Sequence, residues 1–280
     1  MSSQIDHLLT ETRRFAPSAE FAAEANAHAD LYEAAAADRE AFWAEQARAL
    51  HWHTPFTKTL DWSNPPFATW FEDGELNVAY NCLDRHVEAG LGDRVALLWE
   101  GEPGDERRVT YAELTDEVKR LANVLTDLGV EAGDRVAIYL PMIPEAVASM
   151  LAVARIGAIH SVVFGGFSAD SLRSRIDDAG AKLVITSDGG YRKGKASPLK
   201  PAVDQALADR GHGPQETVEH VLVVKRTDTE VSWQDGRDLW WHDLVPAASA
   251  DHVAQPFPAE NPLFILYTSG TTGKPKGILH

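Results

Sequence analysis

Cysteine is nearly absent. Cys82 stands alone, which excludes an internal disulfide framework and any four-cysteine zinc site and fits a reducing compartment. Basic residues are also scarce: 26 against 42 acids give a formal charge of -16. That balance disfavours a general nucleic-acid surface, so any anionic ligand must be met by a local exception. Only nine of the bases are lysines; the acidic, lysine-poor composition leaves open both a high-salt cytosol and an ordinary acidic enzyme. Long apolar runs are missing as well, and no segment reaches the length needed to span a bilayer. The opening Met1-Ser-Ser-Gln-Ile-Asp-His-Leu-Leu-Thr10 has no charged region followed by an apolar one, and its acid argues against a transit peptide. These absences predict a cytoplasmic protein with no membrane and no nucleic-acid partner; they leave its oligomeric state open.

What is present suffices for a core. A chain of 280 residues buries roughly 75% of its unfolded surface. Residues 19–50 are alanine-rich with occasional large apolar anchors and read as helix. Residues 51–74 hold Pro55, Pro65-Pro66 and clustered aromatics, which predicts an irregular segment laid over a larger body. His51 and His53 lack a nearby ligating partner in sequence and read as packing residues rather than a metal site.

From about residue 94 short apolar runs recur: Arg94–Trp99, Arg135–Leu140, Ile159–Phe164, Lys182–Thr186, His220–Val224 and Leu263–Tyr267. They predict strands buried on both faces. Between them lie helical patterns with starts and stops. Thr110-Tyr-Ala-Glu113 is a capping box and Gly129 a stop, Pro144 suits a first turn before Gly157, and Ser168 caps a third helix ending near Gly180. The alternation predicts an α/β fold with a largely parallel sheet, flanking helices and right-handed crossovers.

The segment Tyr267-Thr-Ser-Gly-Thr-Thr-Gly-Lys-Pro-Lys-Gly277 follows the last strand. Small, hydroxyl-bearing and flexible residues with two lysines suit a polyphosphate, because backbone amides approach closely while hydroxyls and ammonium groups add donors. It is not the common P-loop. That motif needs glycine where Thr268 stands and a hydroxyl where Pro275 stands.

A second exception to the acidic balance lies between Asp188 and Asp204, where Arg192, Lys193, Lys195 and Lys200 occur with no acid. By charge alone it is either a solvated loop or an anion site. Phe164-Gly-Gly-Phe-Ser168 marks a tight strand-to-helix turn whose glycines also let a thin ligand pass the backbone, and its phenylalanines read equally well as core. Arg173 and Arg175 read as surface, and Trp240-Trp241 as packing or rim. Cys82 has no nearby base to make it a nucleophile.

The terminal segment resembles the phosphate signature of the adenylate-forming, AMP-binding synthetases. Trp70–His86, Tyr139–Glu145, Ile159–Ser168 and Asp188–Lys195 are similar, in order and separation, to the acetyl-coenzyme A synthetase branch, and the resemblance covers the chain from about residue 20. It implies an N-terminal tail at 1–18, an acetyl-coenzyme A synthetase N-terminal region at 19–85, and an AMP-binding synthetase domain at 86–280 cut after its phosphate loop. It also implies activation of acetate by ATP, accompanied by Mg2+, to acetyl-adenylate and pyrophosphate, followed by transfer to coenzyme A. Thr268, Ser269, Gly270, Thr271, Thr272, Gly273, Lys274, Lys276 and Gly277 then hold ATP phosphates. Phe164, Gly165 and Gly166 line the pantetheine path, while Arg192, Lys193, Gly194 and Lys195 meet the phosphorylated nucleotide end of coenzyme A. Where the family often has a second arginine, Lys195 attracts a phosphate without gripping it bidentately. The acyl pocket, magnesium ligands and adenylation lysine are expected beyond His280, so no catalytic or metal residue is assigned and the chain alone is expected to be an inactive fragment. A propionyl or other short-chain acyl-CoA synthetase, or a non-catalytic coenzyme A or nucleotide-binding module, remains the alternative.

Overall fold

The computed structural model describes residues 13–208, 217–268 and 275–280. The chain divides into two compact units, Met1–Ala49 and Leu50–His280. In the first, the helical stretch expected over residues 19–50 forms as three helices: α1 (Ala19–Ala23), α2 (Ala29–Ala37) and α3 (Arg39–Arg48). The break before α3 has a local cause: Asp38 turns a side-chain oxygen to the Ala41 amide at 2.9 Å and starts a new helix where propensity alone would continue the old one. Ser18 caps α1 in the same way through the Phe21 amide, at 3.2 Å.

The second unit opens with small antiparallel pairings. β1 (Leu60–Asn64) pairs β2 (Phe67–Trp70), and β3 (Glu75–Leu76) later meets a strand near residue 257. The rings of Trp52, Phe56 and Phe71 pack with centroids 4.7–5.8 Å apart. His51 lies 4.6 Å from the Tyr80 ring, and both His51 and His53 are exposed. Next come β4 (Val95–Glu100) and β5 (Glu106–Thr110), an antiparallel hairpin. The apolar run at 94–99 is therefore not a strand of the parallel sheet. Ala96, Leu97 and Trp99 pack against the core while Leu98 is 73% exposed, a one-sided pattern that composition alone conceals.

From α4 (Tyr111–Asp127) onward the expected alternation holds. It continues with β6 (Arg135–Tyr139), α5 (Pro144–Arg155), β7 (Ile159–Val162), α6 (Ala169–Ala179) and β8 (Leu183–Ser187). A short hairpin, β9 (Gly189–Arg192) with β10 (Lys195–Pro198), precedes α7 (Lys200–Leu207). β11 (His220–Val224), β12 (Asp238–Trp240), α8 (Trp241–Leu244), β13 (Phe257–Pro258), β14 (Phe264–Thr268) and β15 (Lys276–Leu279) complete it. The capping box at Thr110 forms, Ser168 caps α6, and Gly180 ends α6 at φ 61°.

Seven strands form one sheet in the order β12-β11-β8-β6-β7-β14-β15, parallel except for the last pair. One face is covered by α4 and α5 through Leu114, Val118, Leu121, Ala152 and Val153. The other is covered by α6 and α7 through Leu172, Ile176, Val203 and Ala206. β6, β8 and β11 are buried on both faces as predicted, whereas β14 is only half covered and Leu266 is 47% exposed. No helix among the described residues is long and apolar enough to cross a membrane.

Candidate functional site

The chain leaves β6 for β7 on one side and then crosses to β8 on the other. β6 is thus the point where strand order reverses, the place in an open α/β sheet where ligands bind at the carboxyl ends of the strands. The segments expected to meet coenzyme A follow the carboxyl ends of the two strands beside it. Phe164–Gly166 follow β7, and the β9–β10 hairpin follows β8.

The hairpin is tight. Arg192 pairs with Lys195 across a two-residue loop in which Lys193 and Gly194 have φ of 54° and 74°. Positive φ at both loop positions matches a type I′ turn, which glycine permits and lysine tolerates at a cost. Arg192, Lys193, Gly194 and Lys195 are all exposed. The base of the hairpin is fixed by Asp188, fully buried, whose carboxylate accepts from the amides of Gly189, Arg226, Thr227 and Thr229 at 2.7–3.1 Å. One carboxylate thereby shapes both the entry to β9 and the loop after β11.

The turn after β7 meets this hairpin. The Arg192 guanidinium lies 5.8 Å over the Phe164 ring, and a Cβ on Gly166 would stand 2.7 Å from its nitrogen. Close approach of these two side chains therefore favours glycine there. Phe164 and Phe167 are 56% and 40% exposed, edge to face at 5.7 Å, so neither is a core residue.

Three cations differ from their sequence expectation. Lys200, grouped with the ligand-facing bases, is fully buried and pairs with Asp204 at 2.7 Å and Asp238 at 2.8 Å. Helix α7 turns it inward, away from the hairpin tip. Arg175 is not surface: it is buried, donates to Ser171, and stacks under Phe167 and Tyr267 at 4.7 and 5.3 Å. Arg173 is half-buried beside Asp177 and the Ala208 carbonyl.

Other residues of the site carry no local signal in sequence. Arg226 sits between the rings of Trp99 and Tyr191, at 5.0 and 4.8 Å, and pairs with Asp105 at 2.8 Å. Trp99 donates to the Met142 carbonyl at 2.7 Å. Together they hold the β4–β5 turn against the hairpin, and Glu102 of that turn accepts the Gly194 amide. Long-range assembly creates this contact, so only a run of such residues close in sequence could have flagged it.

The phosphate signature spans the β14–β15 connection. Thr268 and Lys276 are cross-strand partners at its base and Gly277 faces Tyr267; Ser269, Gly270, Thr271, Thr272, Gly273 and Lys274 lie outside the described residues. β14 runs parallel to β7, so Thr268 emerges at the same sheet edge as Phe164. Below it, the Tyr267 hydroxyl donates to Asp178 at 2.7 Å. Burial and this carboxylate push the phenol well above its ordinary value, so Tyr267 is a neutral anchor. Among the described residues no three His, Cys, Asp or Glu side chains gather as a metal site.

Comparison with known proteins bears on this geometry. A family model described as AMP-binding enzyme matches residues 83–280, and one described as acetyl-coenzyme A synthetase N-terminus matches residues 28–82. The chain is 68% identical over 279 residues to an acetyl-coenzyme A synthetase of Streptomyces avermitilis, covering all of this chain and 42% of that protein. It is 64% identical over 267 residues to one of Mycobacterium tuberculosis, covering 95% of this chain and 41% of the relative. It is 52% identical over 291 residues to one of Rhodopirellula baltica, covering 100% and 42%. The chain therefore spans well under half the length of these relatives. On these matches the chain belongs to the AMP-binding enzyme family, joined to an acetyl-coenzyme A synthetase N-terminal region.

Proposed function

We propose that this chain supplies the phosphate loop and the coenzyme A face of an AMP-forming acetate–CoA ligase. The observation that carries the reading is the meeting of Phe164–Gly166 with Arg192–Lys195 at the reversal point of the sheet, beside the strand that leads into the phosphate signature. In this reading an acetate oxygen attacks the α-phosphorus of ATP and pyrophosphate departs. The coenzyme A sulfur then attacks the acyl carbon, forming the thioester as AMP leaves. Neither step needs a covalent enzyme nucleophile, so the chain's task is alignment and charge stabilisation.

Thr268, Ser269, Thr271, Thr272, Lys274 and Lys276, with the amides of Gly270, Gly273 and Gly277, hold the departing phosphates. Mg2+ arrives with ATP as part of the substrate. Phe164, Gly165 and Gly166 pass the pantetheine arm, and Arg192, Lys193, Gly194 and Lys195 receive the phosphorylated nucleotide end. No residue of this chain is assigned to the acyl pocket that separates acetate from propionate, and a cytoplasmic setting is part of the reading. The test separates the two half-reactions in a protein of the relatives' full length. Arg192→Ala should raise the KM for coenzyme A about tenfold or more, since a charge-assisted contact contributes about 1.5–3 kcal/mol, and leave acetate-dependent ATP–pyrophosphate exchange intact. Equal loss of both half-reactions would refute the assignment.

A further inference from the structure

The β4–β5 turn places a carboxylate where the proposed ligand needs an amide. Glu102 accepts the Gly194 N–H, the amide at the tip of the exposed cationic hairpin. The turn that carries it is well fixed. Gly101 donates to the Asp105 carbonyl at 2.7 Å and Gly104 to the Gly101 carbonyl at 2.8 Å. Gly101 is buried, and a Cβ there would strike Asp105, Arg226 and Trp99. Asp105 is tied to Arg226 by two contacts at 2.8 and 3.0 Å, and Arg226 lies against Tyr191, the hairpin residue next to Arg192. The carboxylate is therefore held in register with the tip by the same guanidinium that packs on the hairpin. Neither Lys193 nor Lys195 has an acidic partner among the described residues, so the tip's positive field is otherwise open.

A carboxylate and a phosphate monoester are both oxyanions, and both use backbone amides and cationic side chains as donors. They cannot share one N–H at full strength, and their like charges repel in the small space above the tip.

We infer that Glu102 is a built-in competitor at the hairpin tip: its carboxylate occupies the Gly194 amide in the free protein and must leave before a ligand phosphate binds, which weakens and tunes phosphate affinity. The inference rests on the proposed reading of the tip as a phosphate site. Its sign is opposite to that of a residue that merely supports the turn.

The experiment titrates 3′,5′-ADP, and separately 5′-AMP, into this chain and its variants by calorimetry. Glu102→Gln keeps the shape and removes the charge; it should bind 3′,5′-ADP about three- to tenfold more tightly, with no gain for 5′-AMP. Glu102→Ala should show the same gain. Arg192→Ala serves as the reference arm. If Arg192→Ala leaves 3′,5′-ADP binding unchanged, the tip is not the phosphate site and the reading beneath the inference fails. If Arg192→Ala weakens binding while Glu102→Gln and Glu102→Ala leave it unchanged or weaken it, the site stands and the competitor role is overturned. An equal gain for both nucleotides would also overturn it, since that is general charge relief.

Discussion

Lys195 and Lys200 belong to one basic stretch and act in opposite ways. Lys195 is exposed at the hairpin and open to a ligand. Lys200 is fully buried, and its ammonium is taken by Asp204, Asp238 and the Ser232 carbonyl. Burial raises the Asp238 pKa, but hydrogen bonds from Arg237 and Lys200 outweigh it and hold the carboxyl below its ordinary range. Removing Lys200 would leave buried negative charge, which costs about 3–5 kcal/mol when no other partner exists. Arg237 also holds Asp238, at 2.6 Å, so Lys200→Met should destabilise by about 3 kcal/mol, the low end of that range, in urea unfolding. Lys195→Met should change stability by less than about 0.5 kcal/mol. A charge count sees both lysines alike. What separates them is the inward face of α7, set by the alternation of Val203 and Ala206 with polar positions, and that becomes decisive only once the sheet is in place.

At the scale of elements, legibility followed locality. The capping box at Thr110, Pro144 at the start of α5 and Gly180 at the end of α6 are all satisfied within one or two turns of chain, and each was readable. The hairpin β4–β5 was not, because whether an apolar run has one covered face or two depends on partners distant in sequence. The same limit hid Arg226 and Asp105, which are separated by more than a hundred residues. The turn after β7 makes a further prediction. In Gly166→Ala the new Cβ meets the Phe164 ring at 2.5 Å and the Arg192 guanidinium at 2.7 Å. Both belong to exposed side chains that can swing aside, so the melting temperature should hold while coenzyme A affinity falls because Arg192 is displaced. A loss of stability above about 1 kcal/mol with affinity retained would show that the turn, not the ligand path, requires the glycine.

For the molecule as a whole, acid–base linkage runs in two opposed directions. His160 in β7 is pushed down to about 4 by burial. The unfolded chain then binds the extra proton, so this stability is present above about pH 6.5 and lost as pH falls toward 4. Glu117 of α4 is pushed up to about 7, first by burial and then by the charges of Glu145 and Asp116, against the pull of Arg107. Its folded form keeps a proton the unfolded chain releases, so that contribution is present below about pH 4.5 and lost as pH rises through 7. Over the shared window the two slopes offset each other. Glu117→Gln removes one of them, so its stability relative to the parent should grow by about 2 kcal/mol between pH 5 and pH 8. Urea unfolding at the two pH values checks this, and a constant difference would contradict it.

The largely parallel sheet was legible from strand and helix alternation, its reversal at β6 was not because strand order depends on pairings distant in sequence, and the ligand assignments came from segments resembling a family. In the proposed reading the working surface lies at the carboxyl ends of β7, β8 and β14, beside β6. The central claim is that the β9–β10 tip receives the phosphorylated end of coenzyme A. Its most direct measurement is the affinity of this chain for coenzyme A against 3′-dephospho-coenzyme A by calorimetry, with and without Arg192→Ala. The parent should prefer coenzyme A by about tenfold or more, and Arg192→Ala should remove most of that preference. Equal affinity of the parent for the two ligands would contradict the account.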